Sequence, residues 1–212
     1  MSLLHTFLDF FLHIDTHLGS ILQEYGTLTY GILFVIILSE TGLVIAPFLP
    51  GDSLLFAAGA FAGKGDLNVL FLLILLIVAA ICGDAFNFFV GRLFGKALLK
   101  RDSRWIRREH LERTNRFFLK YGGMTIVIAR FMPIVRTVAP FVAGVGTMPL
   151  YQFFAYNIAG GILWVMLFVG GGYFFGSLPF VEKNFSVVIL VIIVFSMLPA
   201  LIGWIKERVA RV

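Results

Sequence analysis

Thr125-Ile-Val-Ile-Ala-Arg130-Phe-Met-Pro133-Ile-Val-Arg136-Thr-Val-Ala-Pro140-Phe-Val-Ala-Gly144 is the stretch that decides how this chain must fold. It is apolar apart from two arginines. A guanidinium cannot shed its proton to escape a low dielectric. Placing one at the centre of a bilayer costs about 2.5–3.5 kcal/mol even on a lenient insertion scale. Pro133 and Pro140 also interrupt the helical run that a plain membrane span would need. Two cationic forks in a broken apolar segment point to a buried site for an anion.

The rest of the chain has the same character. Of its 212 residues, 59% are hydrophobic and only 14% are charged. An ordinary soluble domain has about a quarter charged residues. The composition therefore predicts an all-α polytopic membrane protein, one domain over residues 1–212. The single cysteine, Cys82, rules out an internal disulfide framework and reads as a small buried residue. No Walker loop, nucleophile elbow or zinc-protease motif occurs, so neither an enzyme nor an ATP-driven pump is expected. His13-Ile-Asp15-Thr-His17 sets two imidazoles four residues apart, as in some zinc sites. No third ligand lies near them in sequence, so no metal and no cofactor is expected.

The net charge of +5 is unevenly spread. Before Arg92 the only Lys or Arg is Lys64. From Arg92 to Lys120 there are ten, against Asp102, Glu109 and Glu112. Lys/Arg-rich loops stay on the cytoplasmic side. The 92–120 segment and the tail Lys206-Glu-Arg208-Val-Ala-Arg211 are expected there, with the N-terminus outside. The N-terminus lacks a basic n-region, so no cleaved signal peptide is expected. The basic 100–120 run suits an anionic lipid surface rather than nucleic acid.

Hydrophobic patterning divides the chain. Residues 1–24 show a helical period with a polar face and predict an interfacial helix. Residues 27–62 are too long for one span and too broken, at Gly42, Pro47, Pro50 and Gly51, for two. They predict a re-entrant hairpin entering from outside, which is tolerated only where protein or water shields its bend. Residues 67–91 predict a transmembrane helix and 102–120 a cytoplasmic amphipathic helix. Residues 122–147 predict a second re-entrant hairpin, entering from the cytoplasm. Residues 150–176 and 185–205 predict two further spans. A hairpin plus a span, repeated upside down, is an inverted repeat. Such repeats place a substrate site between their broken elements near the midplane.

Glu40 and Asp52 flank the break of the first hairpin, and Arg130 and Arg136 that of the second. Four such charges left unpaired would together cost on the order of 10 kcal/mol. They must pair, face water or bind a ligand. The plain reading is an ion-pair network pinning the hairpins together. The functional reading is an anion site at Arg130 and Arg136, served by carboxylates that take up and release protons. Arginine suits phosphate because its planar fork donates two parallel hydrogen bonds. Asp84, deep in the 67–91 helix, is a candidate partner for an arginine of the second hairpin. Glycines around it, at 83, 91 and 95, suit close helix packing, and Arg92 suits the interface.

At these residues the chain resembles the DedA family of bacterial inner-membrane proteins, within the wider SNARE-associated/VTT superfamily. The resemblance covers nearly the whole length. It is carried by Glu40-Thr-Gly, by Pro47-Phe-Leu-Pro50-Gly51-Asp52-Ser-Leu-Leu, and by Gly83-Asp84 to Gly91-Arg92. The longest motif runs from Ala129-Arg130 through Pro133, Arg136-Thr137 and Pro140 to Ala143-Gly144. Where many relatives have Tyr, this chain has Phe88. The resemblance implies facing re-entrant hairpins and movement of lipids between leaflets. It links bacterial members to recycling of undecaprenyl phosphate, proton-motive-force homeostasis, cell division and resistance to cationic antimicrobial peptides. Eukaryotic relatives scramble phospholipids. The family's important acidic and basic positions match Glu40, Asp52, Arg130 and Arg136. Gly51, Asp84, Arg92, Thr137 and Gly144 fall in the same motifs as supporting positions.

The expectation is a proton-coupled carrier returning undecaprenyl phosphate across the bacterial cytoplasmic membrane. Arg130 and Arg136 would hold the phosphate, and Glu40 and Asp52 would carry protons. Pro47, Pro50, Pro133 and Pro140 would keep the hairpin tips unwound, so that backbone N–H groups also face phosphate. The rivals are a non-selective phospholipid scramblase, a proton-driven antiporter of small cations or drugs, and a membrane scaffold. Polyprenyl phosphate or phospholipid, protons and anionic lipid are the expected partners, and a homo-oligomer is compatible with the pattern.

Overall fold

The computed structural model describes residues 14–43, 51–100, 118, 121–146, 148–194 and 196. Every element among them is a helix: α1 (Ile14–Tyr25), α2 (Leu28–Gly42), α3 (Gly51–Gly63), α4 (Val69–Lys100), α5 (Met124–Ala129), α6 (Pro133–Val145), α7 (Leu150–Phe175), α8 (Pro179–Lys183) and α9 (Phe185–Val194). His13, Pro47, Pro50, most of the 102–120 segment and the end of the 185–205 segment lie outside the described residues, as does the start of the 1–24 helix.

Two helices carry long apolar runs of 26 residues, Val69–Phe94 in α4 and Leu150–Phe175 in α7. At 1.5 Å per residue each run is about 39 Å long, more than the roughly 30 Å hydrocarbon core of a bilayer. Their outer faces are rows of uncovered apolar side chains. Leu70, Phe71, Ile74, Val78, Phe86, Phe89 and Leu93 form one on α4, and Ile158, Leu163, Met166, Leu167 and Phe174 one on α7. Rows this extensive need lipid against them, so the chain is a helical membrane protein. Cys82, expected inside, is exposed on the outer row of α4. Apolar residues lie on every side of α4, so the hydrophobic pattern does not tell its inner face from its outer one.

α4 continues to Lys100, past the 67–91 segment. Nothing between Arg92 and Lys100 stops a helix, because the stretch contains no proline and leucine, lysine and alanine favour helix. Basic residues near its C-terminus also oppose the helix dipole favourably.

α3 packs along α7, and α6 packs along α4. The two interfaces are built alike. A side chain at Gly59 would collide with the Val169 carbonyl, and one at Gly172 with the Phe56 carbonyl. In the other interface, a side chain at Gly144 would collide with the Phe88 carbonyl, and one at Gly91 with the Phe141 carbonyl. In each, two glycines let two backbones touch reciprocally, the geometry that small residues permit in membranes. α2 adds to α4 and α5 to α7, while α4 and α7 meet at the centre.

The second broken segment breaks at residues 130–132. Met132 is extended, at φ −127° and ψ 102°, and Pro133 opens α6, where its missing N–H costs little. Pro140, expected to keep the tip unwound, instead lies inside α6, which runs on through it. Neighbouring helices can re-satisfy the backbone around such a proline. Here Asn87 of α4 donates to the Thr137 carbonyl at 2.6 Å.

Candidate functional site: a buried arginine–carboxylate cluster

Four helix ends and the middle of α4 bring five charged side chains into the bundle interior. Glu40 is in the last turn of α2 and Asp52 in the first turn of α3. Asp84 is mid-way along α4, Arg130 ends α5, and Arg136 is one turn into α6. All are buried, Arg130 at 1% exposure and Glu40 at 0%.

Arg136 reaches from the second broken segment into the first. Its Nη2 donates to Glu40 Oε1, and its Nη1 donates to Asp52 Oδ1 at 3.1 Å. The fork is thus spread over two carboxylates on two helices. Glu40 Oε1 also accepts the Gly51 backbone N–H at 3.2 Å, at the positive end of α3. Any side chain at position 51 would fall on the Glu40 carboxylate, which is the physical reason for glycine there. Asp52 accepts two more hydrogen bonds, from Trp164 Nε1 at 2.8 Å and from Ser196 Oγ at 2.5 Å.

Arg130 is held differently. One nitrogen, Nη2, donates to Asp84 Oδ2 at 2.6 Å and to Asn157 Oδ1 at 2.5 Å, with the Ala80 carbonyl at 3.4 Å. Asn157 Nδ2 donates to the Ile81 carbonyl at 3.1 Å, which orients its oxygen toward the arginine. Gly160 makes room on α7: a Cβ there would sit 3.3 Å from Arg130 Cδ and Nε. The Trp164 ring lies near both guanidiniums, 5.0 Å from Arg136 Cζ and 5.9 Å from Arg130 Cζ.

Two consequences follow. Three carboxylates face two guanidiniums, so the ionised cluster carries one excess negative charge, located in the Arg136 group. Burying an uncompensated charge is costly. Second, the pairing leaves donors unspent. Arg130 Nε and Nη1 and Arg136 Nε are buried without a hydrogen-bond partner among the described residues, as are the acceptors Glu40 Oε2, Asp84 Oδ1 and Asn87 Oδ1. Each such buried group costs about 1–3 kcal/mol.

The structure divides what the sequence pattern groups together. That pattern sets both arginines against Glu40 and Asp52, with Asp84 a further candidate for one of them. In the fold Arg136 alone takes both, and Arg130 takes Asp84. Arg92 stays out of the cluster: it is exposed, with its guanidinium 5.9 Å from the Phe88 ring. Thr137, Pro140 and Gly144 are buried along α6, where Gly144 serves the contact with α4. Asn157, Trp164, Asn87 and Ser196 are members that the sequence pattern does not single out. A faint signal exists for two of them. Asn157 and Trp164 are seven residues apart, two turns, on one face of an otherwise apolar helix. Among the described residues no three His, Cys, Asp or Glu side chains gather as a metal site.

Comparison with known proteins shows the family of the chain. Residues 49–174 match the VTT domain. The chain is 52% identical over 211 residues to Protein DedA of Escherichia coli (strain K12), covering 98% of this chain and 96% of that one. It is 40% identical over 190 residues to an uncharacterized membrane protein of Mycobacterium tuberculosis (strain H37Rv), covering 88% and 83% of the two chains. It is 31% identical over 179 residues to the inner membrane protein YghB of Escherichia coli (strain K12), covering 83% and 78%. No solved structure matches the chain. The domain match spans more than half of the chain and the identity extends along nearly all of it, so this is a member of the DedA family of VTT-domain membrane proteins.

Proposed function

We propose that the chain is a proton-coupled lipid carrier, not an enzyme, which returns undecaprenyl phosphate from the outer to the inner leaflet of the bacterial cytoplasmic membrane. In this reading α2–α3 and α5–α6 are re-entrant hairpins entering from opposite faces, and each forms an inverted repeat with the span that follows it. The matched glycine contacts of α3 on α7 and α6 on α4 support that symmetry. The N-terminus lies outside and the basic 100–120 segment rests on anionic lipid inside.

The observation that carries the proposal is the set of unspent guanidinium donors. Arg130 Nε and Nη1 and Arg136 Nε suit phosphate oxygens without first giving up a carboxylate. A phosphomonoester brings a charge of about −1.5 to −2 near neutral pH. Protons taken from outside by Glu40 and Asp52 would offset it charge for charge and loosen the hold of both carboxylates on Arg136. Release of those protons inside would restore the pairs and expel the phosphate. The prenyl tail stays in lipid throughout, so only the headgroup needs this shielded polar path.

A second reading has one observation in its favour. Every one of the five charges already has an ionic partner, which is what a purely structural lock would also show. Reconstitution with labelled undecaprenyl phosphate separates the two. For a carrier, Arg130→Ala and Arg136→Ala abolish flipping, and Glu40→Gln folds but no longer responds to a pH gradient. Normal flipping by both arginine variants would sink the site assignment. Full complementation of a deletion strain by Glu40→Gln would favour the lock.

A further inference from the structure

Trp164 lies where the two arginine groups meet. It is on the inner face of α7, wholly buried, two turns beyond the Asn157 that holds Arg130. An indole has a single polar atom, which must find an acceptor when buried. Here that acceptor is Asp52, the carboxylate Arg136 also grips. The face of the same ring is left for cations, and both guanidinium carbons lie within 6 Å of its centre.

We infer that Trp164 is a positioning residue shared by the two arginines, its N–H holding Asp52 and its ring face holding both guanidiniums, so that the Arg136 and Arg130 groups open and close together. The inference deepens the carrier reading and rests on it for its functional meaning. Arg136 hydrogen-bonds to α2 and α3, whereas Arg130 hydrogen-bonds to α4 and α7, and among the described residues their ion pairs share no carboxylate. The indole touches both groups. A hydrogen bond to an ionised carboxylate is about twice as strong as one to a neutral group. Neutralising Asp52 therefore slackens the N–H anchor that fixes the ring near Arg130. The groups facing Asp52 are Arg136 from α6, Trp164 from α7 and Ser196 beyond α9, with Glu40 of α2 on the same guanidinium.

Two measurements test this, each covering the other where a variant fails to fold. In a Trp105→Phe/Trp204→Phe background, Trp164 is the sole indole. Its emission is recorded in phosphatidylcholine vesicles without any prenyl phosphate. It should change on Asp52→Ala and, separately, on Arg130→Gln. An emission that ignores both changes, or follows only one, overturns the inference. Flipping of undecaprenyl phosphate is then compared for Trp164→Phe, which keeps a ring but no N–H, and Trp164→Leu, which keeps neither. Trp164→Phe should flip about tenfold more slowly, the worth of one hydrogen bond to a charged group, and Trp164→Leu more slowly still. Wild-type rates in both overturn it. If the emission responds as expected while the wild type flips no undecaprenyl phosphate, the carrier reading fails and the positioning role stands.

Discussion

Arg130 and Arg136 lie six residues apart on the same broken segment, yet they are held in opposite ways. Arg136 uses both terminal nitrogens as a fork across Glu40 and Asp52. Arg130 concentrates its hydrogen bonds on one nitrogen, and its two others have no partner among the described residues. The first group carries an excess negative charge; the second is neutral. The first joins the two broken segments; the second joins α5 to the long helices α4 and α7. The difference assigns distinct work to residues that look equivalent in sequence. In the proposed carrier, Arg136 is where proton uptake would loosen the structure, and Arg130 is where donors would meet an anion.

Substituting lysine should separate the two most sharply. A lysine at 136 is a point charge that cannot span two carboxylates. It should leave one of them buried and unpaired, destabilising the protein by about 3–5 kcal/mol and stopping transport. Thermal unfolding in detergent and vesicle flipping read both effects. At 130 an ammonium can replace the single donating nitrogen, since it offers three donors from one atom. Arg130→Lys should therefore stay within about 1 kcal/mol of wild-type stability, because the ion pair is kept, yet flip on the order of a hundredfold more slowly for want of a bidentate donor. Equal unfolding temperatures for the two lysine variants would erase the contrast.

A smaller effect probes the neutral side of the comparison. Asn157→Ala removes one of the Arg130 acceptors and should cost about 1–3 kcal/mol, visible as a lowered unfolding temperature. The smallest lies outside the bundle. Lys64 hydrogen-bonds Glu182 at 2.7 Å and holds its carboxyl below the usual carboxylate range. A depressed acid adds stability at neutral pH that fades as pH falls through its folded value. At an exposed pair this amounts to little. Glu182→Gln should leave the unfolding temperature and transport unchanged at neutral pH.

Much of the cluster is legible in the amino-acid sequence. Ionisable side chains in apolar runs stand out because burying them is so costly, and the fold buries all five of Glu40, Asp52, Asp84, Arg130 and Arg136. One pairing is half legible, Asp84 with an arginine of the second broken segment, but which arginine takes which carboxylate is not. Spacing along a helix fixes a face, but which face of α6 meets α2 and α3 depends on packing between residues 84 and 96 positions apart. Asn157 and Trp164 escape notice because they are uncharged, and the cost of burying them is slight once each finds a partner. Cys82 is misplaced by a sequence reading because apolar residues surround α4 and only Asp84 and Asn87 mark its inner face, and Pro140 because a membrane helix can run through a proline that its neighbours support. The break at 130–132 falls where an arginine, not a proline, ends α5.

Lipid copurifying with the protein, identified by mass spectrometry, tests the central claim most directly when wild type is compared with Arg130→Lys. The two should be equally folded and differ in the donors free for an anion. We expect wild type to carry polyprenyl phosphate above its abundance in the membrane, and Arg130→Lys to lose that enrichment. Equal enrichment in both, or none in the wild type, would contradict a phosphate site at the buried arginines.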